Sequence, residues 1–172
     1  MSSKVILRPL SLEELEVLVC KDVVNSRQID FSKLVISPVQ RSAIQIKIEK
    51  MRQIKKEFHH WFTYWLMISK QSSKAMGLVG FKGINDNGTC EIGYGITKQF
   101  EKNQYTSEAV KLLVHWAFQH NYCKLIVANG VQPDNYGSQR VLERNGFEKV
   151  RETAEGISYQ LSRRHLKKPV YK

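Results

Sequence analysis

The segment from residue 89 to residue 131 constrains the fold of this chain more than any other. It holds an alternating apolar run, TCEIGYGI (89–96), a helical stretch, SEAVKLLVHWAFQHN (107–121), and a continuous apolar run, KLIVANGV (124–131). The middle stretch carries a wide apolar stripe, which is typical of a buried helix. A connection of that length between two strands predicts that the strands are parallel. The sequence therefore predicts one parallel strand pair with a helical crossover.

The residues on either side of this segment predict an antiparallel sheet. Strand-like runs occupy residues 5–10, 61–70 and 74–84, and NDNG at 85–88 is a strong hairpin signal. Residues 147–164 hold two further strand-like runs separated by a glycine turn. The predicted fold class is α+β, with a mixed central sheet of about seven strands. In that sheet an antiparallel meander turns parallel after the fourth strand.

Three further helices are predicted to flank the sheet. Ser11 followed by Glu14 is a capping-box pattern at the start of the first. Pro38 stands in the first turn of the second, which is predicted to extend through about Lys56. The stretch 135–146 predicts a short helix that ends at a glycine.

Length and charge limit the classes of function. We expect residues 1–172 to form one domain. No apolar run approaches the length of a membrane span, and no signal peptide is predicted. The formal net charge is +11, with basic clusters at 41–56 and 163–172. Such clusters favour anionic partners, including phosphates and nucleic acid. A solvated helix face and a disordered tail are the simpler explanation.

The cysteines and histidines predict neither a disulfide framework nor a metal site. Cys20, Cys90 and Cys123 are an odd number with wide spacings and no CxxC pair. This pattern favours a protein of the reducing cytosol, with all three thiols buried as small hydrophobic groups. The neighbours His59 and His60 would point to opposite faces of a strand, so they cannot easily bind one ion.

Three stretches together resemble a known family. EIGYGI (91–96), SEAVKLLVHWAF (107–118) and PDNYGSQRVLERNGF (133–147) resemble the GNAT acyl-CoA N-acyltransferases, and most closely the RimJ/RimL type of ribosomal-protein N-terminal acetyltransferase. The predicted element order fits that fold over nearly the whole chain. The resemblance implies an N-acetyltransferase that transfers an acetyl group to a primary amine. It also implies that acetyl-CoA binds where the fourth and fifth strands splay apart.

The resemblance further implies which residues hold acetyl-CoA. The pantetheine arm would pair with the backbone near Ile96, and Asn135 would hydrogen-bond the pantetheine or acyl region. Its position after Pro133-Asp134 also suits a helix N-cap, and both roles can hold together. The pyrophosphate would lie at the start of the next helix, where free N–H groups and the helix dipole bind phosphate. The residues of that loop are Lys102, Asn103, Gln104, Tyr105, Thr106 and Ser107. Ser107 is also expected to be the N-cap.

The loop departs from the family pattern Arg/Gln-x-x-Gly-x-Gly/Ala. The matching positions are Glu101, Gln104 and Thr106. A non-glycine residue in left-handed geometry costs about 1–2 kcal/mol, which would weaken binding about 5- to 30-fold. Glu101 adds negative charge near the phosphates, and Lys98 and Lys102 offset it. Two interpretations stay open: a degenerate loop that still binds acetyl-CoA, and a GNAT-fold binding module that has lost tight binding.

Glu91 and Ser138 are the candidate catalytic residues. Strand alternation places Glu91 with Gly93 and Gly95 on one face, where the glycines leave room for a ligand or for a packed helix. Glu91 is a candidate general base, with an exposed strand carboxylate as the alternative. The resemblance implies that Ser138 is the proton donor to the leaving thiolate, with a surface serine as the alternative. It puts Leu142 where many members have a tyrosine acid.

The acceptor amine is not fixed by the sequence. An α-amine, with a pKa of about 7.7–8.0, needs less help from a base than a lysine amine, and no strong base cluster is visible. Trp61, Tyr64 and Trp65 could line an acceptor pocket, but such residues fit a core better. An RNA-directed partner, which the charge favours, lacks a stacking platform in the sequence. We expect a monomer or a homodimer.

Overall fold

The computed structural model describes residues 3–21 and 26–165. Within these ranges the chain forms seven strands and four α-helices. The strands are β1 (Val5–Pro9), β2 (Tyr64–Ser69), β3 (Ala75–Ile84), β4 (Thr89–Ile96), β5 (Leu125–Val131), β6 (Glu148–Thr153) and β7 (Gly156–Ser162). The helices are α1 (Leu12–Lys21), α2 (Pro38–Gln53), α3 (Tyr105–Gln119) and α4 (Tyr136–Arg144). None of the described helices combines the length and hydrophobicity that crossing a membrane requires.

The strands form one mixed sheet in the order β1-β2-β3-β4-β5-β7-β6. β4 and β5 are parallel and are joined by α3, whereas every other neighbouring pair is antiparallel. A parallel pair requires a long crossover of this kind. The predicted α+β class and the predicted parallel step after the fourth strand are confirmed. The sheet returns to antiparallel pairing at β5–β7.

Both N-terminal helices begin with a capping box. The Glu14 N–H donates to Ser11 Oγ at 3.1 Å, and the Ser11 N–H donates to Glu14 Oε2 at 2.9 Å. At the start of α2 the Gln40 N–H donates to Ser37 Oγ at 3.2 Å, and the Ser37 N–H donates to Gln40 Oε1 at 3.0 Å. Each box satisfies two backbone donors that a helix start leaves unpaired. The sequence signals for both helix starts are therefore confirmed.

Several element boundaries differ from the predictions by one to three residues. α2 ends at Gln53 and α3 begins at Tyr105, both earlier than predicted. The strand predicted from residue 61 begins only at Tyr64, because residues Lys56–Trp61 form a 3-10 turn. Trp61 is 1% exposed although it lies in this turn. An aromatic residue indicates burial, and a residue in a turn can be as buried as one in a strand. The aromatic pattern therefore did not identify a strand at this position.

The sheet is covered on both faces by hydrophobic layers. α1 and α2 pack on one face, in a layer that includes Leu15, Leu18, Ile44, Leu66 and Leu78. α3 packs on the other, in a layer that includes Val79, Phe81, Val110, Leu113 and Ile126. Successive residues of β3 enter opposite layers, as the period of a strand requires. Each fully buried aliphatic side chain stabilises the fold by about 1.5–3 kcal/mol.

The cysteines only partly follow the prediction. Cys90 and Cys123 are buried, and their Sγ atoms lie 3.9 Å apart. Cys20 is exposed on α1, so the expectation that all three are buried was wrong. The contact between Cys90 and Cys123 joins β4 to the loop before β5. The wide spacing of the two residues in the sequence gave no sign that they would meet.

β4 and β5 separate before either strand ends. Their pairing stops at Glu91 and Val127, although β4 continues to Ile96. β5 instead stays with β7, where a Cβ on Gly156 would lie 2.8 Å from the carbonyl carbon of Gly130. Both glycines have positive φ values, 126° and 68°, which favour glycine. We call the gap beyond Glu91 and Val127 the fork.

Candidate active site

The β4 edge of the fork carries free backbone groups. The Thr97 N–H donates to the Met76 carbonyl oxygen of β3 at 2.8 Å. Because backbone groups of successive strand residues point to opposite edges, Ile96 directs its N–H and C=O away from β3 and into the fork. An extended ligand could pair with these groups as an added strand does.

The N-terminus of α3 follows β4 after the 3-10 turn Lys98–Phe100 and a loop at 101–104, and it has no side-chain cap. Its N-cap residue, Gln104, is left-handed, with φ 65° and ψ 7°. Lys102 also has a positive φ, 63°. The first N–H groups of a helix have no partner within the helix. Those of Tyr105, Thr106 and Ser107 are therefore available to an anion.

Ser107 is not the N-cap, contrary to the prediction. It lies in the first turn of α3, where its hydroxyl and its carbonyl oxygen accept hydrogen bonds from Asn145 Nδ2 at 3.2 and 3.1 Å. Asn145 follows α4, so this amide ties the start of α3 to the end of α4. The Ser107 oxygen atoms accept from Asn145, so its backbone N–H and its hydroxyl proton are the donors that remain for a ligand.

The loop before α3 is exposed and is shaped by its own side chains. Asn103 Nδ2 donates to the carbonyl oxygens of Glu101 at 2.9 Å and Phe100 at 3.4 Å. Asn103 therefore stabilises the turn instead of presenting a free amide. Lys98 and Lys102 are exposed beside it, and Glu101 is exposed as well. The loop thus offers two cations and one carboxylate close to the open helix start.

Asn135 and Ser138 lie at the start of α4, which follows β5. Asn135 is the N-cap, since its Oδ1 accepts a hydrogen bond from the Ser138 N–H at 3.1 Å. The N-cap role expected for Asn135 is therefore present, and it is compatible with a second role toward a ligand. Ser138 is half-buried. Leu142 is 0% exposed and belongs to the core, and because leucine has no hydroxyl, α4 offers no acid at that position.

Tyr94 contacts the first turn of α4, although the sequence analysis did not select it as a site residue. Its hydroxyl donates to the Ser138 carbonyl oxygen at 3.2 Å, which joins β4 to the helix that follows β5. Burial raises the pKa of Tyr94 to about 12, so the phenol stays protonated at neutral pH and remains a donor. Tyr94 packs in the layer on the α3 face, and its hydrogen-bond partner lies far away in sequence.

Glu91 lies on the opposite face of β4, at its last position paired with β5. Its Oε1 forms an ion pair with Lys82 Nζ, and the Glu91 side chain is 25% exposed. A Cβ on Gly93 would meet nothing within 4 Å, whereas one on Gly95 would lie 2.7 Å from Gln40 Nε2. Gly93 therefore leaves open space, and Gly95 accommodates the start of α2.

A cleft of about 450 Å³ opens beside Glu91. It reaches from β3 and β4 to the hairpin formed by β6 and β7. Its charged lining residues are Lys82, Glu91, Arg151 and Glu155, and the others are Asn129, Thr153, Ser158, Gly130 and Gly156. A cavity of this volume suits a small molecule or a short chain segment.

The other residues selected from the sequence serve the fold. Trp61, Tyr64 and Trp65 are 1%, 8% and 8% exposed and belong to the core. His59 and His60 lie in a 3-10 turn, so the strand assumed for them was wrong. Over residues 3–21 and 26–165 no group of three or more potential ligands could hold a metal ion.

The basic tail begins inside the fold. Arg163 donates to the carbonyl oxygens of Phe118 at 2.7 Å and Cys123 at 3.2 Å, and to Asn121 Oδ1 at 3.1 Å. The prediction of a disordered tail therefore does not hold for its first residue. Residues 166–172 lie outside the described part of the chain.

Comparison with known proteins identifies the family. The acetyltransferase (GNAT) domain profile matches residues 4–148. Among curated proteins the chain is 36% identical over 87 residues to the uncharacterized N-acetyltransferase YjdG of Bacillus subtilis. That match covers 50% of this chain and 51% of YjdG. The chain thus spans about half the length of this curated relative.

Solved structures show the same fold. The chain is similar to AAC(6')-Ib in complex with acetyl-CoA, with a TM-score of 0.67, 15% identity and 99% of both chains covered. It is also similar to RimL, a ribosomal L7/L12 alpha-N-protein acetyltransferase, in complex with coenzyme A. There the TM-score is 0.63 at 18% identity, with 94% of this chain and 95% of RimL covered. Likeness to both does not favour the RimJ/RimL branch over others.

The profile match covers β4 with its side of the fork, the loop before α3, and α4. It also covers more than half of the chain, so it is not a local coincidence of one motif. This chain belongs to the GNAT acetyltransferase family.

Proposed function

We propose that this protein is an acetyl-CoA-dependent N-acetyltransferase that transfers an acetyl group to a primary amine. The observation that carries the proposal is the fork, beyond Glu91 and Val127, with the uncapped start of α3, the next α-helix after its β4 edge. Family membership supports it. Similar folds have been solved with acetyl-CoA and coenzyme A, which supports the same ligand here.

Acetyl-CoA is placed in the fork as a cosubstrate. The backbone of Ile96 and the Asn135 side chain are assigned to the pantetheine arm, and the N–H groups of residues 102–107 to the pyrophosphate. Gln104 supports this assignment, because its φ of 65° provides, without glycine, the backbone conformation that glycine favours. Lys102 offsets the charge of Glu101 near the phosphates.

Glu91 is assigned as the general base and Ser138 as the proton donor. The ion pair with Lys82 engages Glu91 Oε1, which leaves Oε2 for the acceptor amine or for a bridging water. The open space at Gly93 lies between Glu91 and the end of β4. Ser138 lies on the other side of the sheet, at the start of α4, where its hydroxyl could protonate a leaving thiolate.

The acceptor is assigned to the cleft beside Glu91. A protein N-terminus, an amino acid or a small amine would present a primary amine there. An α-amine requires less of the base than a lysine amine, because its pKa is about 7.7–8.0. We also propose the reducing cytosol as the place of action, since Cys90 and Cys123 are thiols 3.9 Å apart and unjoined.

Two other functions are alternatives to this proposal. A GNAT-fold binding module would bind acetyl-CoA weakly or not at all and would acetylate nothing. An RNA-directed protein would use the net charge of +11 and would bind RNA with a steep dependence on salt. The experiment below separates these outcomes.

The test is calorimetric titration with acetyl-CoA and with CoA at physiological ionic strength, followed by a thiol-release assay with a panel of primary amines. Micromolar binding with amine-dependent thiol release supports the enzyme. Binding without thiol release identifies a binding module. No binding up to millimolar acetyl-CoA rejects the proposed function, and salt-dependent binding of RNA would then support the third alternative.

A further inference from the structure

The cleft beside Glu91 has an unusual lining. Each of its lining side chains is polar or charged, and the remaining positions are glycine. Sites for small molecules are lined mostly by hydrophobic and aromatic side chains. A wholly polar lining offers an apolar or aromatic acceptor no favourable burial. The acceptor is therefore expected to be strongly hydrophilic along its length.

Two cations and two carboxylates line the cleft, and only one of each forms an ion pair: like Arg151, Glu155 has no ion pair among the described residues. Lys82 neutralises Glu91 through their ion pair. Arg151 lines the cleft from β6, opposite Ser158 in the register of β6 and β7. Among the described residues Arg151 forms no ion pair. A guanidinium without a protein partner in a polar cleft can bind a carboxylate or phosphate with two parallel hydrogen bonds.

From this arrangement we propose that the acceptor carries an anionic group, a carboxylate or a phosphate, which Arg151 binds while the amine lies near Glu91. The inference rests on the proposed function and names the substrate class for that same site. Arg151 then acts as a specificity-determining residue. It would select acceptors through their anion and take no part in proton transfer.

The topology fixes the spacing between amine and anion. β5 and β7 lie between β4 and β6, so three strand spacings of about 4.8 Å separate β4 from β6 by roughly 14 Å. The register places Glu148 level with Glu91, so the backbone of Arg151, further along β6, lies more than about 14 Å from that of Glu91. The two long side chains span part of that distance. The acceptor must bridge the rest, so its anion lies several bonds from its amine. A dipeptide or an aminoalkyl phosphate fits this requirement better than a single α-amino acid does.

The test compares matched acceptors in the thiol-release assay. One pair is glycylglycine and glycylglycinamide, which share an α-amine and differ only in a distant carboxylate. The other pair is aminopropyl phosphate and aminopropanol. The variants are Arg151→Gln and Arg151→Lys, and the control is Arg164→Gln, an exposed arginine in the turn after β7, away from the fork. Acetyl-CoA affinity, measured for every variant, confirms that each one is folded.

We expect the wild type to prefer the anionic member of at least one pair. Arg151→Gln should lower kcat/KM for that member by about 10- to 100-fold, because a charge-assisted hydrogen bond is lost, and should leave the neutral member nearly unchanged. Arg151→Lys should retain part of the preference, and Arg164→Gln all of it. The pair that responds shows whether carboxylate or phosphate is the natural group. An anionic preference that Arg151→Gln leaves intact overturns the inference.

A binding experiment separates this inference from the proposed function. N-acetylglycylglycine and N-acetylglycylglycinamide are titrated into the wild type and into Arg151→Gln. Tighter binding of the carboxylate that disappears in Arg151→Gln supports the anion site, even if no amine is ever acetylated. Equal binding of the two compounds, together with equal kcat/KM within both acceptor pairs, overturns it. Failure to bind acetyl-CoA would reject the proposed function alone.

Discussion

The Tyr94 hydroxyl donates a hydrogen bond to the backbone carbonyl oxygen of Ser138, with 3.2 Å between the two oxygen atoms. Tyr94 belongs to β4 and Ser138 to α4, which follows β5, so the bond links the two sides of the fork on its α3 face. Burial keeps the phenol protonated, with its pKa raised to about 12. The link therefore persists over the whole physiological pH range and fixes the first turn of α4 relative to β4.

Tyr94→Phe should lower kcat more than it changes the KM for acetyl-CoA. The loss of one hydrogen bond of about 0.5–1.5 kcal/mol frees Ser138 relative to the fork. An effect of about 2- to 12-fold on kcat follows if that energy serves positioning. The control is Tyr136→Phe, whose side chain on α4 is 65% exposed. Equal kcat values for both variants would show that the Tyr94 hydroxyl only stabilises the fold.

Gln104→Gly should stabilise the protein without greatly changing its affinity for acetyl-CoA. Gln104 is left-handed in the structure, so the strain of about 1–2 kcal/mol is already present in the folded chain and lowers the free energy of unfolding. Glycine removes that strain but loses about 0.5–1 kcal/mol through backbone entropy. Chemical denaturation measures the free energy of unfolding, and calorimetric titration measures the affinity for acetyl-CoA.

A suitable comparison for Gln104→Gly is Gln99→Gly, in the 3-10 turn before the loop, which should destabilise the protein. A large gain in acetyl-CoA affinity on Gln104→Gly, without a gain in stability, would contradict the expectation. That result would mean that residue 104 adopts its left-handed backbone conformation only when acetyl-CoA binds.

Lys47 should make the stability of the protein depend on pH. Its ammonium is buried on α2, donates to the carbonyl oxygens of Phe62 at 3.2 Å and Phe81 at 2.5 Å, and lies 4.4 Å from the Tyr64 ring centroid. Burial, with the charges of nearby lysines, lowers the pKa of Lys47 to about 7. In the unfolded chain the pKa is about 10.4.

Between pH 7 and 10 the unfolded state thus binds one more proton at Lys47 than the folded state does. The free energy of unfolding should therefore rise with pH in this window, by up to about 1.4 kcal/mol per pH unit. Below about pH 7 both states are protonated and the slope vanishes. Lys47→Met should lack this rise. Denaturation of both proteins at several pH values is the measurement, and parallel pH profiles would show that Lys47 remains charged when buried.

Glu91→Gln should abolish most of the acetyltransferase activity while acetyl-CoA still binds. A general base contributes about 100- to 10,000-fold to the rate, and the loss should be larger for lysine-like amines than for α-amines, because more of the former are protonated. Glu49→Gln, an exposed change on α2, is the control. If the variant kept activity within a few-fold of the wild type, Glu91 would not be the general base, and its role would be the ion pair with Lys82.

Candidate site residues could be selected from sequence more readily than the contacts they make. Glu91, the loop before α3, Asn135 and Ser138 were selected from local patterns, and they belong to the elements that border the fork, while their roles stay predictions. The lining of the cleft was not predicted from the sequence. Lys82 on β3 and Arg151 on β6 both line it, although β4, α3, β5 and α4 lie between them along the chain. Their juxtaposition depends on the hairpin of β6 and β7 folding back beside β5.

The sequence by itself determined the elements and their order. The evidence for them lies in the alternation of β4, the apolar stripe of α3 and the capping pattern at Ser11. Each of these patterns involves residues only a few positions apart, so it can be read from the sequence alone. Tertiary structure alone decided where β4 and β5 part, which carboxylate pairs with Lys82, and that Gln104 is left-handed. These depend on contacts between distant residues, such as Gly130 against Gly156, whose geometry exists only once the sheet has formed.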